Sequence, residues 1–349
     1  MANMMKSLVL ERPNKLVLIE RPIPEPRPGE VLIRVKSAGI CHTDFIALRG
    51  DFPGCKYPTV LGHEFSGIVE KCGQGVLKLR PNDRVVCMGF GFCRTCKYCR
   101  RGLENACKNI SVIPFHMDGA YQQMVCLPAA MVFCFDESLS FNKAALTEPA
   151  SNGYAAVDRA NLYPGEHVVI IGPGPIGLLA VAAADLKSPA SLILLGTRAE
   201  RLQMGTRLGA THTVNVLETD PYEVVMDISD GHGADVVILC AGTETAWEFS
   251  GRVLAKYGRV IVESLPDRAD SKWPVAVFDF TAKHISYLGV SAYTACQFRA
   301  TLDLMQAKKI DVMSLITHTF SLDDYADAFE TCAERTGGAV KVVIEIAKE

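Results

Sequence analysis

The segment that most constrains the fold is an apolar strand followed at once by a glycine-rich turn and an Ala/Leu-rich helix. The strand is HVVII, the turn is GPGPIG (172–177), and the helix begins LLAVAAADLK. This is the G-x-G-x-x-G pattern of a dinucleotide-binding turn: Gly172 permits the tight turn, Gly174 lets the backbone approach a pyrophosphate, and Gly177 allows the helix to pack closely on the strand. Because proline has no N–H, the amides offered to phosphate are those of Gly174, Ile176 and Gly177.

Strands and helices continue to alternate after this turn. Apolar strands such as SLILL, DVVIL and GRVIV alternate with helix-like stretches such as AERLQMGTRLGA. This alternation predicts a parallel sheet with helices on both of its faces. Before about residue 149 the chain shows short runs separated by Pro and Gly turns, which are typical of β-rich structure. After about His284 the pattern becomes mixed and ends in the strand-like GGAVKVVIEIA.

A chain of 349 residues is too long for one ordinary core and indicates two domains. The sequence therefore predicts an α/β protein with a Rossmann-type, doubly wound parallel sheet over 150–286. This domain is inserted into a β-rich domain over 1–149, to which residues 287–349 return.

The strand SLILL bears on which dinucleotide binds. An acid about 20 residues after the glycines would hold the ribose hydroxyls of NAD. Here the strand ends in Gly196, followed by Thr197 and Arg198, with Arg201 one turn further on. A hydroxyl and guanidinium groups suit the 2′-phosphate of NADP, because arginine can bind phosphate bidentately. The sequence therefore favours NADP and leaves NAD open, since both arginines could also be solvated residues at a helix start.

Four cysteines form a compact motif in the segment of about 89–110. Their spacing is C-x2-C-x2-C-x7-C, at Cys93, Cys96, Cys99 and Cys107. Short loops of this kind bring four sulfurs to one tetrahedral point, which predicts a structural zinc site. Basic residues among the ligands would offset the negative charge of four thiolates. The alternatives are disulfides, which need an oxidising compartment, and a zinc ribbon that binds nucleic acid.

Composition argues against both alternatives. The net charge of −3 is not the one-signed basic character that binding of a phosphate backbone normally uses, so no nucleic-acid partner is expected. The 13 cysteines, an odd number, indicate a reducing cytoplasm. The N-terminal residues lack the apolar segment of a signal peptide, and glycine, proline and an acid interrupt the longest apolar stretch. We therefore expect neither a targeting segment nor a membrane span.

A second set of possible metal ligands lies outside the cysteine motif. It comprises Cys41 in AGICHTDF, His63 and Glu64 in LGHEFSG, and Glu148 in LTEPASNGY. A thiolate, an imidazole and carboxylates together can hold zinc and leave one position open for water or substrate. Taken singly, Cys41 could be a buried thiol and His63 a core histidine.

The order of these motifs resembles that of the zinc-dependent medium-chain dehydrogenases/reductases. CHTDF, GHEFSGIVEKCG, the four-cysteine motif, EPASNGY and GPGPIG follow one another, and the match runs from about Lys6 to the C-terminus. The EP motif is similar to that of the sorbitol/polyol dehydrogenase branch. The resemblance implies a GroES-like catalytic domain in which Cys41, His63 and Glu64 hold a catalytic zinc. Glu148 would orient a bound water or approach the metal, and the two glutamates could exchange roles.

The resemblance also implies roles for the residues that follow Cys41. Thr43 matches the hydroxyl that starts a proton relay, Asp44 the acid that orients the ligand histidine, and His42 a residue that touches the cofactor pyrophosphate. Thr43 and Asp44 could also serve as a helix N-cap pair. The sequence departs from the liver-type pattern at Ile46, which stands where that relay ends in a histidine. Proton release would then have to use ribose hydroxyls or water.

The activity that the resemblance implies is hydride transfer between NADP or NAD and a secondary alcohol or polyol/ketone pair. Each chain would hold two zinc ions, one catalytic and one structural, and the enzyme would be a cytoplasmic homodimer or homotetramer. Two alternatives use the same fold. One is a zinc-free quinone or enone reductase, which needs no metal ligands; the other is a non-catalytic dinucleotide-binding protein.

Overall fold

The chain forms two compact units. The computed structural model describes residues 3–52, 54–264 and 271–347. The first unit comprises residues 1–148, 294–308 and 312–349, and the second unit comprises residues 149–293 and 309–311. The first unit is thus assembled from distant parts of the sequence, whereas the second is almost one continuous stretch.

The N-terminal part of the first unit consists mainly of strands. In chain order the elements are β1 (Met4–Arg12), β2 (Lys15–Pro22), β3 (Glu30–Gly39), α1 (His42–Arg49), β4 (Thr59–Val60), β5 (Glu64–Cys72), β6 (Arg84–Cys87), β7 (Phe90–Gly91), β8 (Ser111–Val112), β9 (Met124–Pro128), β10 (Val132–Cys134), α2 (Phe141–Ala145) and α3 (Thr147–Ala160). Helix α3 begins in the first unit and continues into the second.

The second unit alternates strands with helices, as the sequence predicts. Its elements are β11 (His167–Ile171), α4 (Pro175–Asp185), β12 (Ser191–Gly196), α5 (Ala199–Arg207), β13 (His212–Asn215), α6 (Pro221–Ile228), β14 (Ala234–Leu239), α7 (Glu244–Arg252), β15 (Leu254–Val262), α8 (Val277–Ala282) and β16 (Ser286–Gly289). The strands pair in parallel in the order β13-β12-β11-β14-β15-β16. This is the 3-2-1-4-5-6 order of a doubly wound dinucleotide-binding sheet.

Burial explains why these strands consist of long apolar runs. All six residues of β12 are buried, as are four of the five residues of β11. A parallel sheet covered on both faces needs apolar residues on both sides of each strand, so its strands do not alternate with polar residues. The predicted parallel sheet is therefore confirmed.

The remaining elements return to the first unit. They are α9 (Ala295–Gln306), β17 (Ile316–Ser321), α10 (Tyr325–Glu334) and β18 (Lys341–Glu345). Strand β18 pairs antiparallel with β3, and β3 pairs antiparallel with β5. The main sheet of this unit runs β10-β6-β5-β3-β18-β17, with β9 also paired to β3. Among the described residues, none of the helices combines the length and apolar character that a bilayer crossing requires.

Candidate active site

Strand pairing brings three of the predicted metal ligands together. Cys41 follows the end of β3 and is the N-cap residue of α1, while His63 immediately precedes β5 and Glu64 begins it. Gly39 of β3 is paired with Glu64 across the sheet. One potential ligand atom from each of Cys41, His63 and Glu64 lies within 4.8 Å of the other two. The absence of a side chain at Gly39 matters here, because a Cβ at that position would collide with the Glu64 carboxylate.

Asp44 joins the two segments that carry these ligands. Its carboxylate accepts hydrogen bonds from the backbone N–H of Cys41 at 3.0 Å and of Gly62 at 3.3 Å. The Tyr121 hydroxyl lies 2.7 Å from Asp44 Oδ2 and 2.9 Å from the carbonyl oxygen of Gly39. Burial raises the pKa of Asp44, and the nearby His63 opposes that shift. These donors stabilise a carboxylate that is buried away from water.

Asp44 lies near His63, as its predicted orienting role requires, but it does not form a hydrogen bond with the imidazole. His63 Nδ1 lies 3.8 Å from Asp44 Oδ1, which is beyond hydrogen-bond distance. Within the described part of the chain, this buried nitrogen has no hydrogen-bond partner. The N-cap of α1 is Cys41 rather than Thr43 or Asp44, and Asp44 lies three residues into the helix, where its side chain bonds back to the Cys41 amide. The alternative that Thr43 and Asp44 form an N-cap pair is therefore wrong, although Asp44 does stabilise the start of this helix.

Negative groups surround the imidazole of His63. Burial lowers the pKa of His63, but the charges of Cys41, Asp44 and Glu148 raise it well above its ordinary value. A histidine facing a thiol and several carboxylates in a buried site is an arrangement that a divalent cation would stabilise. The donor set of sulfur, nitrogen and oxygen suits zinc, so the residues present fit a zinc ion.

The other predicted residues of this site lie near the metal-ligand trio of Cys41, His63 and Glu64. Glu148 is buried in the first turn of α3, and its charge acts on His63. It is outside the group of described residues whose ligand atoms lie within 4.8 Å of one another. Thr43 Oγ1 lies 3.7 Å from Cys41 Sγ, and His42 is exposed at the start of α1. The roles assigned to these residues stay predictions.

Two residues in the site were missed from the sequence. Tyr121 is fully buried beside Asp44, and Lys341 is buried with its Nζ donating to Glu64 Oε1 at 2.7 Å. The negative charges of Glu64 and Cys41 raise the pKa of Lys341 although burial alone would lower it. The isolated lysine within the apolar run AVKVVIEI was a signal for Lys341, because an unpaired charge rarely lies inside a buried strand. We see no comparable signal for Tyr121.

The four-cysteine motif forms a second convergent group of sulfurs. Cys93 Sγ and Cys99 Sγ are 4.0 Å apart, and Cys96 Sγ and Cys99 Sγ are 3.6 Å apart. Zn–S bonds of about 2.3 Å in a tetrahedron place the sulfurs about 3.8 Å from each other. The spacing of the sulfurs therefore fits four thiolates around one zinc ion, and Cys107 completes the group.

Hydrogen bonds favour the thiolate form of part of this motif. The Thr95 hydroxyl and backbone amides, including that of Cys96, lower the pKa of Cys93 to about 5. Burial and the neighbouring cysteines raise the pKa of Cys99 to about 12. A zinc ion binds thiolates and displaces their protons, so the amide donors around Cys93 favour metal binding.

The geometry of the glycine turn is compatible with a bound dinucleotide. Gly172 has φ of 105°, in the region that favours glycine. A Cβ at Gly177 would collide with the carbonyl oxygen of Gly172, whereas a Cβ at Gly174 would meet open space. The first bond that closes α4 runs from Leu178 N–H to Gly174 O, so the amides of Ile176 and Gly177 precede it. The open space at Gly174 and these amides fit a bound pyrophosphate.

The residues that bear on cofactor choice lie just beyond β12. This strand ends at Gly196, which packs closely against Pro173 of the glycine turn. Thr197 is exposed, and Arg198 is the partly buried N-cap residue of α5. Arg201 lies in the first turns of this helix and is also partly buried.

Comparisons with known proteins match both parts of the chain. A family model described as alcohol dehydrogenase GroES-like domain matches residues 27–137, and one described as zinc-binding dehydrogenase matches residues 175–307. The chain is 32% identical to L-threonine 3-dehydrogenase of Bacillus licheniformis over 93% of each chain. It is 29% identical to sorbitol dehydrogenase of Bacillus subtilis over 97% of each. A zinc-binding dehydrogenase structure from Sinorhizobium meliloti, bound to NADP, has a TM-score of 0.93 at 31% identity and covers 99% of this chain and 100% of its own.

Proposed function

The chain belongs to the zinc-dependent alcohol dehydrogenase family, and we propose that it transfers hydride between NADP and a secondary alcohol or polyol/ketone pair. Membership confirms the family predicted from the motif order and the combination of a GroES-like domain with a Rossmann-type domain. The observation that carries the proposal is the convergence of Cys41, His63 and Glu64 within 4.8 Å. Such a site has no use in a zinc-free reductase of the same fold.

We assign the residues of this site as follows. Cys41, His63 and Glu64 hold the catalytic zinc, and Asp44 keeps the two ligand segments in register through its bonds to Cys41 and Gly62. Zinc, when bound, supplies a Lewis acid for the substrate oxygen, and the nicotinamide supplies the hydride acceptor or donor.

Two further residues handle protons and water in this proposal. Thr43 takes the proton that leaves the substrate hydroxyl, and Glu148 orients a water near His63. Ile46 has no titratable group, so the onward path of the proton would need the ribose hydroxyls of a bound dinucleotide or water. His42 matches the family residue that touches the cofactor pyrophosphate, and it is exposed at the start of α1.

The second zinc is structural. We propose that it is held by Cys93, Cys96, Cys99 and Cys107, whose sulfur distances fit a closed tetrahedral site. A closed site has no free position for substrate, so this ion stabilises the segment around it and takes no part in the reaction.

The dinucleotide is bound through the second unit in this proposal. The turn formed by Gly172, Gly174, Ile176 and Gly177 receives the pyrophosphate, and Gly196, Thr197, Arg198 and Arg201 surround the adenosine ribose. Arg198 and Arg201 favour NADP because a guanidinium pairs with a 2′-phosphate. The NADP bound by the Sinorhizobium meliloti structure supports this choice.

Substitution of Arg198 tests the cofactor assignment. Arg198→Ala should raise KM for NADP by about tenfold or more and change KM for NAD by less than about twofold, because the 2′-phosphate loses its charge-assisted bonds. Arg207→Ala, an exposed arginine in the last turn of the same helix, is the matched control and should change neither value. An equal effect of Arg198→Ala on both cofactors would refute the preference for NADP.

The reaction itself is tested with a panel of substrates. Sorbitol, L-threonine and simple secondary alcohols are offered with NADP and with NAD, before and after dialysis against a chelator. We expect turnover with at least one substrate, its loss on zinc removal and its return when zinc is restored. Chelator-resistant reduction of quinones or enones would instead indicate the zinc-free reductase, and dinucleotide binding without any turnover the non-catalytic protein.

Three broader assignments complete the proposal. We propose a catalytic domain over 1–149 and 287–349, with the zinc lobe at about 89–110, and a Rossmann-type domain over 150–286, whose parallel sheet extends through β16 to Gly289. We also propose a cytoplasmic location and a homodimeric or homotetrameric assembly. Light scattering of the purified protein distinguishes these two assemblies from a monomer. Its substrate is a small molecule.

A further inference from the structure

Lys341 is a buried cation in direct contact with a proposed zinc ligand. Its Nζ donates to Glu64 Oε1 at 2.7 Å and to the carbonyl oxygen of Ile40 at 3.1 Å. The side chain of Lys341 is 4% exposed and that of Glu64 is 1% exposed. Removing an ammonium group from water is strongly unfavourable unless nearby groups compensate for the lost hydration. The Glu64 carboxylate provides that compensation here.

The sheet fixes the position of this ion pair. Strand β18 pairs with β3 so that Val343 is opposite Gly39, and Gly39 is in turn opposite Glu64 on β5. Lys341 lies two residues before Val343 on the same strand, so its side chain projects from the same face of the sheet as that of Val343. Because Gly39 has no Cβ, the carboxylate of Glu64 fits against the backbone of β3. Rigid strands therefore determine where both charges lie.

A single carboxylate is available to two cations in this arrangement. Glu64 contacts Lys341, and a carboxylate oxygen of Glu64 also lies within 4.8 Å of ligand atoms of Cys41 and His63. Lone pairs given to an ammonium are weaker donors to a metal, and the positive charge of Lys341 repels a dication nearby.

We propose that Lys341 is a positioning residue that competes with zinc for the Glu64 carboxylate and so keeps Glu64 a weak, exchangeable ligand. The inference rests on the proposed zinc function. Cys41 and His63 then provide the firm attachment, and release of Glu64 leaves a position for the substrate oxygen. An open position is what distinguishes a catalytic zinc site from a closed structural one.

The direction of the effect separates this role from a structural one. If Lys341 only filled space and neutralised a buried charge, its removal would loosen the site and speed the loss of zinc. If Lys341 competes for Glu64, its removal frees the carboxylate for the metal and slows the loss of zinc. The two roles therefore predict opposite signs for the same measurement.

The experiment measures transfer of zinc from the zinc-loaded protein to a coloured chelator. The kinetic phase that disappears in Cys41→Ser reports this site and excludes the four-cysteine site. Lys341→Met should slow that phase by about tenfold, because it removes one positive charge close to the dication and frees the Glu64 carboxylate. Lys341→Arg, which keeps the charge, should remain within about threefold of the original protein.

Lys6→Met is the matched control. Lys6 also pairs with a carboxylate, that of Asp323, but both side chains are exposed. Its substitution should change the zinc-transfer rate by less than about twofold, because an exposed ion pair contributes little. Lys341→Gln replaces Lys341→Met if the apolar variant does not fold, and the same slowing is expected.

A double substitution tests whether the effect passes through Glu64. In a Glu64→Gln background, Lys341→Met should change the transfer rate by no more than about threefold, because the competed carboxylate is gone. A persistent tenfold effect in that background would overturn the proposal, as would unchanged or faster zinc transfer in Lys341→Met alone. This readout needs no substrate. Absence of zinc-dependent alcohol oxidation in the original protein would refute the proposed function separately.

Discussion

At the scale of single residues, the site is controlled by charges that the ligands themselves do not supply. Asp44 is fully buried and accepts backbone hydrogen bonds from Cys41 and Gly62. A buried carboxylate needs such donors, because burial of a charge without hydrogen bonds is strongly unfavourable. The same bonds hold the segments carrying Cys41 and His63 next to each other. Asp44 thus positions the proposed metal ligands without binding the metal itself.

Replacement of Asp44 should weaken zinc binding. Asp44→Asn removes the negative charge and turns an amide NH₂ toward backbone donors, so we expect zinc affinity at the Cys41 site to fall by about 10- to 100-fold. Competition with a chelator of known affinity measures the change. Asp323→Asn, at an exposed carboxylate, is the control and should leave the affinity unaltered. Equal affinities in both variants would contradict the role given to Asp44.

The four-cysteine site should lose zinc on acidification. The pKa of Cys93 is lowered from 9.0 to about 5 by hydrogen bonds to its sulfur. A lowered pKa stabilises the folded, thiolate form fully above pH 9, and this contribution is lost as the pH falls through about 5. Zinc retained after gel filtration should therefore decline toward pH 5. Comparison with Cys93→Ser identifies the part of the released zinc that comes from the four-cysteine site. Full retention of zinc at pH 4 would be inconsistent with the assignment.

At the scale of secondary-structure elements, the glycine turn shows that three glycines of one motif serve different purposes. Gly172 needs its positive φ, Gly177 needs the absence of a Cβ for packing, and Gly174 faces open space. Gly172 and Gly177 stabilise the junction of β11 and α4, whereas Gly174 keeps room for a ligand. Stability and cofactor binding are therefore separable in this turn.

The two helix-side glycines form a matched pair of substitutions. Gly177→Ala forces a Cβ against Gly172 O and should lower the free energy of unfolding by about 1–3 kcal/mol. Gly174→Ala should change the free energy of unfolding by less than about 0.5 kcal/mol. It should nevertheless weaken NADPH binding by about tenfold or more, because one contact to phosphate is lost. Thermal unfolding and NADPH fluorescence titration measure the two effects. Similar losses of stability in both variants would contradict this separation.

At the scale of the whole molecule, metal binding and dinucleotide binding are assigned to different units. The metal-ligand trio and the four cysteines belong to the first unit, and the glycine turn with Arg198 belongs to the second. The second unit has its own core, which includes Val169, Leu195 and Val237. A core of this kind supports a unit independently of metal content.

Removal of zinc should consequently separate catalysis from dinucleotide binding. We expect a chelator to abolish alcohol oxidation while the dissociation constant for NADPH changes by less than about threefold, because zinc supplies no donor to the pyrophosphate. Fluorescence titration of the zinc-free protein measures that constant, and zinc analysis verifies removal. Loss of NADPH binding together with zinc would show that the metal also supports the second unit.

The sequence by itself determined those features that depend on neighbouring residues. The strand, glycine turn and helix around Gly172 are local, and the four cysteines lie within 15 residues, so spacing alone indicated a dinucleotide turn and a zinc site. The order of the motifs indicated the family. Tertiary structure alone decided what surrounds the ligands. Lys341 reaches Glu64 from 277 residues away because β18 pairs with β3, and Tyr121 reaches Asp44 from 77 residues away. Such contacts depend on strand register, which local patterns do not specify across long separations.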